Sequence, residues 1–320
     1  MTVSQRLSPR LTDRQFLLEL EPTVGKEINR HEGMHKDWMP HQYIPFDEGR
    51  TFAGILPNGL AWDVEQSTVT PEIRTALVMN LLTEDNLPSY HREIAGIFGG
   101  DGAWPHWVHR WTAEEARHSI AIRDYLLVTR AVDPDELERE RMAHMSMGYA
   151  AAHGDELLHG LAYVSFQELA TRVSHRNTGR LSDDPMLDQL MNRVALDENL
   201  HMIFYRNLLA GALELSPTQA LRAIVDVVKA FQMPGSNVEG FARRSAQMAM
   251  IGIYDPRQHL DDVLQPVLRH WKIFELQNLD AEGERLRDDL AAYIADLEVT
   301  ASRFVEKRDA RLARKAAQSL

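Results

Sequence analysis

The chain has 320 residues, 44% of them hydrophobic and 26% charged, which supplies a sizeable core and rules out bulk disorder. Its formal charge of -12 argues against a general nucleic-acid binder and against anionic membrane surfaces. With no cysteine it can build no disulfide, iron–sulfur cluster, haem-thiolate or thiol nucleophile, so any metal must be held by Asp, Glu and His.

Apolar positions recur at helical spacing almost throughout and alternating strand-like runs are nearly absent, so the chain reads as all-α. Helices are expected over about 11–33, 70–99, 107–131, 134–147, 154–177, 186–213, 217–231, 237–252, 258–275 and 281–315. Between the first two, residues 36–69 are rich in Pro, Gly and polar residues and read as a long irregular connection. Residues 1–300 are expected to form one domain, followed by a basic tail over 301–320 that reads as a solvated terminal helix. No stretch approaches the roughly 18 consecutive apolar residues that span a bilayer, and the start MTVSQRLSPRLTD has no apolar h-region. A cytoplasmic protein without a membrane span is the expectation.

Two Glu-x-x-His pairs stand inside helical segments, Glu115-Ala-Arg-His118 and Glu198-Asn-Leu-His201. At about 100° per residue, positions i and i+3 share a face, so each pair aims a carboxylate and an imidazole at one point. Each is preceded by a lone glutamate at a similar distance: Glu84 lies 31 residues before Glu115, and Glu168 lies 30 before Glu198. A third pair, Glu156-Leu-Leu-His159, has no such partner, and His159 falls about half a turn away from Glu168 on the same helix. The pattern is that of a four-helix bundle in which two helices each give one Glu and two each give Glu-x-x-His, the di-iron or di-manganese carboxylate arrangement. Four buried carboxylates would be costly without partners, and two divalent cations balance them with both histidines neutral. Oxygen and imidazole donors suit iron or manganese better than a structural zinc site.

Neighbouring residues extend the candidate site. Glu114 and Asp197 each stand four residues before a candidate histidine ligand, His118 and His201 respectively, where a carboxylate could orient the imidazole. Pro88, four residues after Glu84, removes a helix hydrogen bond and predicts a kink beside the site. Thr171, three residues after Glu168, shares its face, and its hydroxyl could relay a proton. His91 and His175 each follow a candidate glutamate by seven residues and read as polar core or rim residues. The spacing of His31 and His35 matches a membrane-desaturase histidine box, a reading that fails without spanning helices.

The segments TEDNLPSY (83–90), WTAEEARH (111–118), SFQELAT (165–171) and DENLH (197–201), in this order, resemble the soluble acyl-carrier-protein desaturases of plant plastids and actinobacteria. The similarity runs from about residue 11 to 300, with SHRNTG and DENLHMIFYR closer to the actinobacterial branch. The resemblance implies a homodimeric ferritin-like four-helix bundle with additional helices, holding two iron ions at Glu84, Glu115, His118, Glu168, Glu198 and His201. It implies O2-dependent insertion of a cis double bond into a saturated acyl chain on an acyl-carrier protein, with electrons from ferredoxin. It places Trp111 and Asp197 near the electron path, and Ile97, Gly160 and Leu161 near the acyl cavity. One departure is Ala116, where the family motif usually carries Asn.

Independently of the resemblance, the absence of cysteine and of a Rossmann fingerprint means that electrons come from outside the chain. An acidic carrier protein requires a local basic patch, for which Arg243, Arg244, Lys229, Arg176 and Arg180 are candidates. Rival readings are a ferritin-type store, which needs only a bare bundle, and a ribonucleotide-reductase small subunit, which needs a tyrosine near the metals where this chain has Ile122. A related di-iron hydroxylase or N-oxygenase, or a weakly active paralogue, remains an alternative that sequence does not separate from a desaturase.

Overall fold

The computed structural model describes residues 10–149, 156–277 and 279–318, and the first two positions of the helix expected over 154–177 lie outside them. The main helices are α1 (Asp13–Met34), α2 (Pro71–Asp85), α3 (Leu87–Phe98), α4 (Trp104–Val128), α5 (Pro134–Met147), α6 (Leu157–Arg180), α7 (Pro185–Leu215), α8 (Pro217–Ala230) and α9 (Phe241–Ile251). Two short helices, α10 (Pro256–Gln258) and α11 (Gln265–His270), flank a π-helical turn over His259–Leu264, and α12 (Ala281–Gln318) closes the chain. Among the described residues there is no strand, only an isolated bridge between Phe52 and Leu60. No described helix is long and apolar enough to cross a membrane.

The starts of these helices are written in the sequence. Proline occupies the first turn of α2, α5, α7 and α8, where no backbone N–H is missed, and Thr70, Asp133 and Asp184 accept hydrogen bonds from the exposed amides that follow them. Two expected helices are broken instead of continuous. Residues 70–99 divide at Asn86 because Pro88 cannot donate to the Glu84 carbonyl, so the expected kink is a full break that starts α3 afresh. Residues 258–275 widen into the π turn just before Pro266, which has no N–H to give to Asp262, and end at Lys272 with a left-handed φ of 51°.

The bundle that matters pairs α2 with α4 and α6 with α7, with α6 and α7 joined by a short turn and packed along most of their lengths. Apolar side chains form two clusters, one around Phe16, Trp107, Phe166 and Phe204 and the other around Leu77, Leu81, Tyr125 and Leu190. Of the helices that carry the buried acids and histidines, α4 and α7 run through both clusters, while α6 packs into the first and α2 into the second.

The irregular stretch over 36–69 carries three single turns of 3-10 helix, and one side chain gathers much of its backbone. Arg130, itself left-handed at φ 54°, donates to the carbonyls of Arg50, Leu60 and Ala61 and to the Gln66 side chain, with its guanidinium 4.0 Å from the centre of the Phe52 ring. Loop backbone that makes no ladder hydrogen bonds finds them on this cation.

Candidate metal centre

Four helices bring six side chains to one buried place. α2 supplies Glu84, α4 supplies Glu115 and His118, α6 supplies Glu168, and α7 supplies Glu198 and His201, all of them buried. Their donor atoms form two overlapping quartets, Glu84/Glu115/His118/Glu198 and Glu115/Glu168/Glu198/His201, with the atoms of each quartet within 4.8 Å of one another. Glu115 and Glu198 belong to both. His118 Nδ1 lies 3.6 Å from Glu84, 3.3 Å from Glu115 and 3.5 Å from Glu198. His201 Nδ1 lies 2.7 Å from Glu115, 3.7 Å from Glu198 and 3.9 Å from Glu168.

The donor set fits a pair of cations. Glu115 Oε1, Glu168 Oε2, Glu198 Oε2 and the Nδ1 atoms of His118 and His201 are buried with no aligned hydrogen-bond partner. Donor atoms from five side chains thus converge on shared space without an aligned hydrogen bond among them, an arrangement that a bound cation would satisfy. The protein groups alone bear this out electrostatically. Burial and the charges of Glu198 and Glu115 push Glu168 well up, and burial with Glu198 raises Glu115. Against burial, contacts with His118, His175 and His201 hold Glu198 well down, and both His118 and His201 are raised by Glu115 and their other carboxylate neighbours. Two divalent cations would balance the four carboxylates and leave the imidazoles neutral.

The orienting acids pair across the bundle, correcting the expectation that each serves the histidine on its own helix. Glu114, on α4, meets His201 of α7, Oε2 to Nε2 at 2.9 Å, and also His31 of α1 at 3.0 Å. Asp197, on α7, faces His118 of α4, Oδ2 to Nε2 at 3.5 Å. Both acids are held ionised despite burial: Glu114 is lowered by hydrogen bonds from His201 and His31, and Asp197 falls to about 2 through His118 and Arg193. Each histidine therefore presents Nδ1 to the centre with its Nε2 toward a carboxylate.

Three further residues take places that the sequence reading did not give them. Trp38 donates Nε1–H to Asp197 Oδ2 at 2.7 Å, and its ring stacks toward His118 at 6.4 Å, giving an indole–carboxylate–imidazole line into the centre. Nothing in the irregular stretch that carries it signals this. His31 belongs to the layer around Glu114, stacked 5.8 Å from His201. His175, expected as a core or rim residue, reaches the centre itself, with Nε2 2.8 Å from Glu84 and 3.4 Å from Glu198. Its spacing from Glu168, two turns along one helix face, was the available signal.

Beside the centre lies a largely apolar cavity of about 80 Å³, whose wall includes Glu84, Glu115 and Glu168. Ile97 and Gly160, which the resemblance places near the acyl cavity, stand in its wall, and a Cβ on Gly160 would lie 3.2 Å from the Ile97 side chain. Leu161 does not: it is fully buried in the hydrophobic core. Trp111, expected near the electron path, stands on the cavity wall and donates Nε1–H to Glu168 at 3.1 Å. Thr171 also lines the cavity, with its hydroxyl bonded to the carbonyls of Gln167 and Glu168 at 3.1 and 3.0 Å. His91 bonds Thr112 instead, and the unmatched pair Glu156/His159 lies apart, with His159 between Glu156 and Asp226. Of the candidate basic patch, Lys229, Arg176 and Arg244 are each closed by an ion pair, to Asp289, Asp188 and Glu140, while Arg180 and Arg243 are exposed.

The model of a family described as fatty acid desaturase matches residues 12–319. A Mycobacterium tuberculosis protein bearing the name acyl-(acyl-carrier-protein) desaturase DesA1 is 50% identical over 97% of this chain and 93% of its own length. The stearoyl-(acyl-carrier-protein) 9-desaturase 6 of Arabidopsis thaliana chloroplasts is 29% identical over 86% of this chain and 73% of its own. The X-ray structure of the Mycobacterium tuberculosis protein bearing the name acyl-ACP desaturase DesA2 superposes with a TM-score of 0.67 at 30% identity, covering 81% of this chain and 95% of that one.

Proposed function

The chain belongs to the fatty acid desaturase family, and from that premise we infer that it is an acyl-(acyl-carrier-protein) desaturase working through a buried di-iron centre. The observation that carries the reading is the pair of overlapping quartets sharing Glu115 and Glu198, set in the wall of an apolar cavity. One iron would be held by Glu84, His118 and the two shared glutamates, the other by Glu168, His201 and the same two. When bound, an iron pair supplies the O2-dependent oxidising power that takes two hydrogens from adjacent carbons and leaves a cis double bond.

The chain's own residues do the rest. The narrow cavity, walled by Leu87, Ile94, Ile97, Phe98 and Val164, strips water from an acyl chain and holds it extended beside the centre. Trp111 fixes Glu168 from the cavity side, and Glu114 and Asp197 fix the imidazoles from the far side. Thr171, in the wall itself, offers a hydroxyl within the same helical turn as Glu168, placed to hold or pass a proton. Trp38, Asp197 and His118 form the inward path for electrons, which must come from an external donor because the chain has no cysteine for a cluster. A ferredoxin as that donor, a homodimer as the working assembly and a cytoplasmic location belong to the same proposal and rest on the family resemblance.

The test is mass spectrometry of a stearoyl-carrying acyl-carrier protein after incubation with iron-loaded protein, ferredoxin, its reductase and O2. Loss of two hydrogens is expected. Gain of one oxygen would make the protein the related hydroxylase, and an unchanged acyl chain from iron-replete, reducible protein would sink the desaturase reading.

A further inference from the structure

The last part of α12 carries a charge pattern that the catalytic reading does not use. Residues 309–318 of this helix are exposed throughout, and six cations lie between positions 303 and 315: Arg303, Lys307, Arg308, Arg311, Arg314 and Lys315. At about 100° per residue they fall within an arc of about 140°, whereas Glu306 and Asp309 lie on the opposite side. At about 1.5 Å rise per residue the stripe is about 18 Å long. Elsewhere many of the chain's cations are closed by carboxylates, but among the described residues Arg303, Lys307, Arg311 and Arg314 make no ion pair. A cation stripe so sorted stands out on a chain of net charge -12.

Among the contacts that hold α12, one ties the stripe itself to a buried carboxylate. Arg308 donates to Asp255 Oδ2 at 2.6 Å, and Asp255 also caps α10 through the amides of Arg257 and Gln258. The adjacent Tyr254 lines a small pocket with Ser174 and Met248, and that pocket shares Thr83, Thr171 and Pro234 with the catalytic cavity. The stripe is therefore pinned beside a flank of the acyl site.

We propose that the basic stripe of α12 is the docking surface for the acidic carrier protein that presents the acyl chain. This rests on the acyl-carrier reading above and names where that partner is held. Charge complementarity carries the choice: a stripe about 18 Å long matches one short acidic helix on a folded partner. A membrane-lying helix would need a broad apolar face beside its cations, and the flanks here hold one large exposed apolar side chain, Leu312, among Ala310, Ala313, Ala316 and Ala317 with Glu306 and Asp309. Nucleic acid would meet the repulsion of an acidic body around a single narrow stripe.

The experiment compares full-length, iron-loaded parent with Lys307→Glu/Arg311→Glu/Arg314→Glu, leaving the structural Arg308 in place. The milder Lys307→Ala/Arg311→Ala/Arg314→Ala guards against a folding defect, since alanine is a good helix former. A charge-matched control reverses Arg14, Lys26 and Arg139, exposed cations on α1 and α5. The probe is fluorescently labelled stearoyl-carrying acyl-carrier protein, with Kd read by anisotropy at several salt concentrations. Tenfold or greater weakening is expected in the reversal variant, less in the alanine variant and little in the control, with the differences shrinking as salt rises. Equal affinity of parent and stripe variants, in protein that desaturates the carrier-bound chain, overturns the docking surface alone. A parent that neither binds nor desaturates the probe overturns the acyl-carrier reading, and binding to anionic vesicles but not to the carrier overturns the choice of partner.

Discussion

Glu114 stands four residues before His118 on one helix, yet its carboxylate meets the imidazole of His201 on another, Oε2 to Nε2 at 2.9 Å. Asp197 returns the exchange from the α7 side, 3.5 Å from His118 Nε2. The candidate ligand pairs run within a helix, and the pairs that orient them run between helices. The expected consequence is that Glu114→Gln weakens iron retention through His201, about 10- to 100-fold against a competing chelator. Combining it with His201→Gln should add little, whereas combining it with His118→Gln should be close to additive. Additivity with both histidines would show that the cross-bundle contact does not tune the centre.

Glu115 and Glu198 belong to both quartets, while Glu84 and Glu168 belong to one each. Glu115→Ala or Glu198→Ala should therefore lose both irons, whereas Glu84→Ala or Glu168→Ala should retain close to one per chain after anaerobic loading. His159→Gln, at the unmatched pair between Glu156 and Asp226, should leave iron content unchanged. Equal loss in His159→Gln and His118→Gln would refute the proposed ligand set.

Thr171→Val keeps nearly the same volume and removes the hydroxyl that sits in the cavity wall. The variant should bind both irons and be reduced normally, yet form less product per O2 consumed, with peroxide released in parallel. Thr171→Ser should recover coupling, because it keeps the hydroxyl. If the valine variant stays as tightly coupled as the parent, the hydroxyl serves only its bonds to the carbonyls of Gln167 and Glu168.

Trp38→Phe removes the indole N–H held 2.7 Å from Asp197 while keeping an aromatic ring between Arg117 and Arg193. Reduction by a protein donor should slow by at least tenfold. Reduction by a small chemical reductant should be much less affected, and iron content should be unchanged. Rapid-mixing absorbance measurements separate these rates, and an unaltered rate with the protein donor would remove Trp38 from the electron path.

The helical class and the six-residue constellation were legible because both depend on short-range periodicity. A repeat of 3.6 puts Glu115 with His118 and Glu198 with His201 whatever the rest of the chain does, and the matched spacing to Glu84 and Glu168 betrays four helices meeting at one level. Pro88 announced its disruption for the same reason, since the missing N–H is a local fact.

What lies across the bundle was decided only by tertiary packing. Whether Glu114 serves His118 or His201 depends on how α4 and α7 are rotated about their axes, and no intrahelical spacing encodes that rotation. Trp38 reaches His118 from a stretch with no periodicity to read, and that loop is fastened by Arg130, whose partners lie 64 to 80 residues away in sequence. Leu161 illustrates the limit within a single helix: one residue after the cavity-lining Gly160, it is turned about 100° onward and falls into the core.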